Sequence, residues 1–144
     1  VANKILHSDK TSRTTGISGA SINDGAGSLG SEIDFSAAST EEQEIDLELV
    51  ATHGVAPSAG APWYVYFLTA ADDTNYEDGG AATQPARNPD AVINVRAVTA
   101  AQRVGYNGAR LFSPSKTKIL LWNATGQNAT SVTLKAWSHS PEIQ

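Results

Sequence analysis

Gln43–Thr52 reads QEIDLELVAT. Ile45, Leu47 and Leu49 alternate with Glu44, Asp46 and Glu48, so an extended chain puts three aliphatic side chains on one face and three carboxylates on the other. A period of two is the pattern of a strand with one dry and one wet face. A helix competes for the same residues. Ser39-Thr40-Glu41-Glu42 has the form of a capping box, and Ile45 and Leu49 lie four apart. Leu47 falls well off that helical stripe, whereas alternation accounts for every residue from Glu44 to Leu49. The strand is preferred, and its dry face needs a second layer to cover it.

The neighbouring sequence supplies that layer. Trp63–Leu68, WYVYFL, is aromatic and β-branched throughout, the composition of a strand covered on both faces. Ile33 and Phe35 alternate with Glu32 and Asp34 within Leu29–Ser36. Ala91–Val98 alternates again, with Val92 opposite Ile93, Val95 and Ala97. Arg103–Phe112 alternates less cleanly and holds Gly105 and Gly108, which predicts a bent or bulged strand. Thr117–Asn123 (TKILLWN) and Ser131–Ser138 (SVTLKAWS) complete the set. The expectation is an all-β chain forming a jelly-roll-like β-sandwich of about seven or eight strands. Residues 1–28, polar and rich in Ser, Thr and Gly, read as an extended N-terminal arm, and 29–144 as the sandwich domain. An arm with so few apolar anchors (Ile5, Leu6, Ile17 and Ile22) is expected to be held by a neighbouring subunit.

Composition narrows the function classes. With no cysteine there is no disulfide framework, thiolate metal site or thiol nucleophile. Ten basic residues against fifteen acidic ones give a net charge of −5, and the basic residues are scattered. Nucleic acid is therefore not an expected partner, since phosphate binding needs clustered Lys and Arg. No apolar run reaches the length of a membrane span and the first residues carry no apolar signal core, so the chain reads as soluble, with no membrane partner.

Several motifs have a chemical and a plain reading. Gly25-Ala26-Gly27-Ser28-Leu29-Gly30 matches G-x-G-x-x-G, but a dinucleotide site needs a strand before it and a helix after it, and neither pattern is present. Glu44, Asp46 and Glu48 suit glycosidase chemistry only if another strand brings a partner carboxylate, and read better as a solvated or subunit-facing strip. Asp72, Asp73, Asn75, Glu77 and Asp78 offer oxygen ligands in the long loop 71–90, but without EF-hand spacing. His7, His53 and His139 stand far apart in sequence. Trp63, Tyr64, Tyr66 and Trp122 sit in core-like patterns, whereas Trp137 is the aromatic most suited to face outward. Asn123-Ala124-Thr125 and Asn128-Ala129-Thr130 fit the glycosylation acceptor pattern. No catalytic, cofactor-binding or metal-binding residue is assigned.

The succession EIDLELVAT, WYVYFLTA, the polar loop ADDTNYEDGG and the closing KILLWNATGQNATSVTLKAWS resembles small β-sandwich structural proteins of tailed bacteriophage virions, head decoration (cement) proteins among them. The resemblance covers residues 30–140. It implies a non-enzymatic protein on the outer capsid surface that forms a homotrimer or other homo-oligomer, binds the major capsid protein and meets surface glycans. Ile5, Leu6, Ile17, Ile22, Glu44, Asp46, Glu48 and Trp137 are the candidate interface residues. A neck or tail component of the virion, a carbohydrate-binding module using exposed aromatics and the Asp72–Asp78 loop, and a hydrolase built on the carboxylate strip are the alternatives.

Overall fold

The computed structural model describes residues 5–7, 9–35, 44–110 and 116–143. The seven strands read from the sequence are β4 (Gly27–Asp34), β5 (Glu44–His53), β6 (Ala61–Thr69), β7 (Ala91–Val95), β8 (Gln102–Arg110), β9 (Lys116–Asn123) and β10 (Ala129–His139). Four short strands add to them: β1 (Ile5–His7), β2 (Thr11–Arg13), β3 (Ala20–Ile22) and β11 (Pro141–Ile143). The capping-box segment Ser39–Glu42 lies outside the described residues, and Glu44–His53 is strand, as the alternation requires.

Two antiparallel sheets face each other. Sheet I has the order β2-β10-β5-β8, with β3 sharing the β10 edge, and sheet II has the order β4-β9-β6-β7. The pairs are nested: β3 with β10, β4 with β9, β5 with β8 and β6 with β7. Pairing of β10 with β5 and of β9 with β6 then joins the outer pairs to the inner ones. Ile45, Leu47, Leu49 and Ala51 of β5 point into the layer between the sheets and meet Trp63, Val65 and Phe67 of β6, Ile119 and Leu121 of β9, and Val132, Leu134 and Ala136 of β10. Full burial of each large aliphatic or aromatic side chain stabilises by about 1.5–3 kcal/mol.

The stretch assigned to an arm is instead woven into the sandwich from residue 11 onward. β2 and β3 add to β10, and Ile17 and Ile22 are 1% and 2% exposed within the common core. Thr15–Ile17 closes the edge between the two sheets. Thr15 Oγ1 donates to Leu134 O at 2.5 Å on sheet I, and Ser31 N donates to Thr15 O at 2.9 Å on sheet II. Gly30 permits this approach, because a Cβ there would stand 2.2 Å from Thr15 O. Sequence reading missed this because two isolated isoleucines among Ser, Thr and Gly carry no periodicity, although two fully buried isoleucines suffice to anchor a short segment.

Close packing accounts for Gly27 and Gly30 of the glycine-rich motif, and a left-handed φ of +69 for Gly25. A Cβ at Gly27 would lie 2.9 Å from both Leu120 and Trp122, and the residues after it form β4 rather than a helix.

The loop 71–90 roofs the outer face of sheet II. Tyr66, Leu68, Leu120 and Trp122 form a second apolar cluster there, with Tyr64 and Ala124 at its margin. Arg87 pins the roof: its guanidinium lies 5.5 Å over the Tyr66 ring, donates to Phe67 O at 3.1 Å, and pairs with Glu77 at 2.6 Å and Asp90 at 2.9 Å. Gln84 Nε2 donates to Tyr66 OH at 2.6 Å. Tyr76 ties the loop to sheet II through Glu32, with the Lys118 ammonium 4.3 Å from its ring centroid. This is why WYVYFL is apolar on both faces.

Candidate functional site

The outward face of sheet I gathers most of the chain's unusual polar chemistry. The register sets it up: Asp46 lies opposite Trp137, Glu48 opposite Lys135 and Glu44 opposite His139. On the other side of β5, Ile45 pairs with Ala109 and Leu47 with Tyr106, so Asp46 alone faces both Asn107 and Gly108 and β8 bulges there. Gly108 takes φ +77 at that bulge, a left-handed conformation that glycine adopts without strain. The bulge turns the Gly108 N–H toward Asp46 Oδ1, which accepts it at 3.0 Å. The bent strand predicted from Gly105 and Gly108 thus has a specific partner.

Asp46 is 7% exposed, so the carboxylate strip is not uniformly solvated as its alternation suggests. Lys10, contributed by the N-terminal stretch, forms an ion pair with Asp46 Oδ2, and His139 Nε2 lies 3.6 Å from the same oxygen. Burial pushes the Asp46 carboxyl upward, but the hydrogen bonds from Lys10 and Gly108 and the charges of Lys10 and His139 outweigh it, leaving the pKa below its ordinary value. Glu48 sits between Lys135 Nζ at 3.3 Å and Arg103 Nη1 at 3.5 Å, and Glu44 pairs with His139 Nδ1 at 3.4 Å. Glu48 is therefore compensated by cations on both neighbouring strands and Asp46 by Lys10, while Glu44 lies against an imidazole that carries charge only when protonated.

A depression of about 420 Å³ opens on this face between Lys10, Asp46, Glu48, Gly105, Asn107 and Trp137. Trp137, half-buried, also borders a second depression of about 260 Å³ floored by Thr14–Ser18 and Thr133. The outward placement read for Trp137 is what the strand delivers. Of the eight candidate interface residues, the fold brings Glu44, Asp46, Glu48 and Trp137 together. Ile17 and Ile22 are in the core, and Ile5 and Leu6 lie in β1, paired with Ile143 and Glu142 of β11. Lys10, Asn107 and His139 join the site without a signal in their own sequence neighbourhoods. Only the strand register brings them there.

The other candidate groups are occupied locally. Asp72 accepts hydrogen bonds from Thr74 N at 3.0 Å, Asn75 N at 2.7 Å and Asn75 Nδ2 at 2.8 Å, which lower its pKa to about 2, and Arg87 holds Glu77. Among the described residues no group of three or more His, Asp or Glu is placed to hold a metal ion. Asn123 is fully buried. Its amide donates to Ile22 O and Gln127 O at 3.1 and 2.9 Å, so of the two acceptor-pattern asparagines only Asn128 is exposed. His53 is 2% exposed, with its ring centroid 6.0 Å from that of Trp63 and neither imidazole nitrogen hydrogen-bonded.

Comparison with family models, curated proteins and solved structures finds no match to this chain.

Proposed function

We propose that this protein is a structural virion component of the head-decoration type, binding an assembled capsid lattice at its outer surface and contacting neighbouring subunits. The observation that carries this reading is the β1·β11 ribbon. It pairs Ile5 with Ile143, Leu6 with Glu142 and His7 with Pro141, and among the described residues it hydrogen-bonds to neither sheet. A two-stranded ribbon is marginal in water by itself, and its edges, unpaired among the described residues, are templates for another chain. Such a ribbon suits a clamp onto the major capsid protein or a second copy of this protein. The nested strand pairs of the sandwich support a jelly-roll reading and would give such a clamp a stiff base. A protein that binds only the assembled shell shifts the equilibrium toward that shell, and repeated shallow contacts add by multivalency.

The test is co-sedimentation with expanded capsids, beside sedimentation velocity of the free protein for the homotrimer. The informative truncation removes residues 1–8, because a cut reaching residue 28 also strips Ile17 and Ile22 from the core. Decoration requires the full chain to pellet with shells and the shortened chain to pellet less. Binding to isolated necks or tails in place of shells reassigns the protein within the virion.

A further inference from the structure

We infer that the depression between Trp137 and Gly105 on the outer face of sheet I binds a neutral sugar ring presented on an oligosaccharide. Three features lead there. Trp137 forms a ridge between two depressions, whereas Trp63 and Trp122 are 0% and 8% exposed and packed. An indole standing on a polar sheet face offers a flat, electron-rich surface to the C–H face of a pyranose, whose hydrogens carry partial positive charge.

Gly105 faces it across the depression. Neither backbone conformation nor crowding demands glycine at this position, since a Cβ would meet only Leu47 O at 3.9 Å. The missing side chain keeps the floor open. At about 420 Å³ the space is within the range that small ligands occupy.

The rim supplies both kinds of hydrogen-bonding partner. The carboxylates of Asp46 and Glu48 accept from adjacent hydroxyls, and the Lys10 ammonium and Asn107 amide donate to ring or hydroxyl oxygens. Asp46 is already held by Gly108 and Lys10, so its orientation is set before a ligand arrives. The rim charges are already paired, Asp46 with Lys10 and Glu48 with Lys135 and Arg103, so no unbalanced charge is left to hold an acidic sugar and a neutral ring is favoured.

The experiment titrates the full chain with neutral methyl glycosides and oligosaccharides of gluco, galacto, manno and N-acetylglucosamine configuration, and with sialylated and sulfated counterparts. Tryptophan fluorescence and the Trp137 indole N–H resonance are the readouts. A saturable response to a neutral glycan is expected, with affinity lowered about tenfold or more in Trp137→Ala. Gly105→Val fills the floor and leaves the indole in place, so it also abolishes binding, and melting curves establish that both variants fold. The assignment is overturned if no neutral glycan gives a saturable response, if binding survives both substitutions, or if acidic sugars or choline bind as well as neutral rings. Capsid co-sedimentation is read separately, so either proposal can fail alone.

Discussion

Asp46 Oδ1 accepts the Gly108 N–H at 3.0 Å, joining the first half of β5 to the bulge of β8. This bond replaces a ladder bond that the bulge removes, and it ties the acidic face to the strand that lines its depression. Asp46→Ala leaves the Gly108 N–H and the Lys10 ammonium without their acceptor. We expect a loss of about 1–3 kcal/mol in urea unfolding at neutral pH. Because the folded pKa of Asp46 is lowered, its contribution is present above the unfolded value of 3.8 and is lost as pH falls through the folded pKa. The difference between wild type and Asp46→Ala should shrink in acid, and a difference that persists unchanged well below that pH contradicts the assignment.

Gly108→Ala places a Cβ on a residue at φ +77. The expected cost is about 1–2 kcal/mol from left-handed strain, with no lost contact, since nothing lies within 4 Å of the new methyl. Chemical denaturation measures it. A neutral substitution means that the bulge relaxes to another conformation.

His53 is buried against Trp63 with no hydrogen-bond partner on either nitrogen among the described residues, and burial lowers its pKa from 6.5. The unfolded chain then binds the proton more readily. Stability from this site is fully present above pH 6.5 and declines as pH falls below it toward the folded pKa. His53→Leu fills the same apolar space without a titrating group. We expect the variant's urea midpoint to fall less than that of wild type between neutral pH and mildly acidic pH, and equal slopes exclude His53 as the cause.

Arg87→Ala removes the pin of the loop roof, including the bond to Phe67 O at 3.1 Å and the pairs with Glu77 and Asp90. The side chain is one-third exposed, so solvent screening limits the loss to about 1–2 kcal/mol. Hydrogen exchange locates it: the Phe67 amide, bonded to Asp90 Oδ2 at 2.7 Å, should exchange faster while the β5 amides stay protected. Uniform acceleration across both sheets indicates that the roof and the sandwich unfold as one unit.

Period-two alternation carried most of the fold. Ile45, Leu47 and Leu49 entered the core as their spacing demands, while β6 is legible from its aromatic and β-branched composition and β8 from imperfect alternation. Local pattern also foretold that β8 bulges, although the bulge falls at Asn107–Gly108 and Gly105 stays in register opposite Glu48. Burial of the N-terminal stretch was illegible because Thr15, Ile17 and Ile22 are fixed by partners over a hundred residues away, such as Leu134 and Asn123. The acidic site was half legible. Its carboxylates and Trp137 stand out in sequence, but Lys10 and His139 reach Asp46 only through the pairing of β2 and β5 with β10.

Lattice binding is tested most directly by mixing the purified full chain with expanded capsids that lack decoration and pelleting the shells. We expect saturable co-sedimentation at a fixed ratio to the major capsid protein, a rise in shell disruption temperature, and loss of both on removing residues 1–8. A protein that stays in the supernatant as a folded monomer and leaves shell stability unchanged contradicts a decoration role.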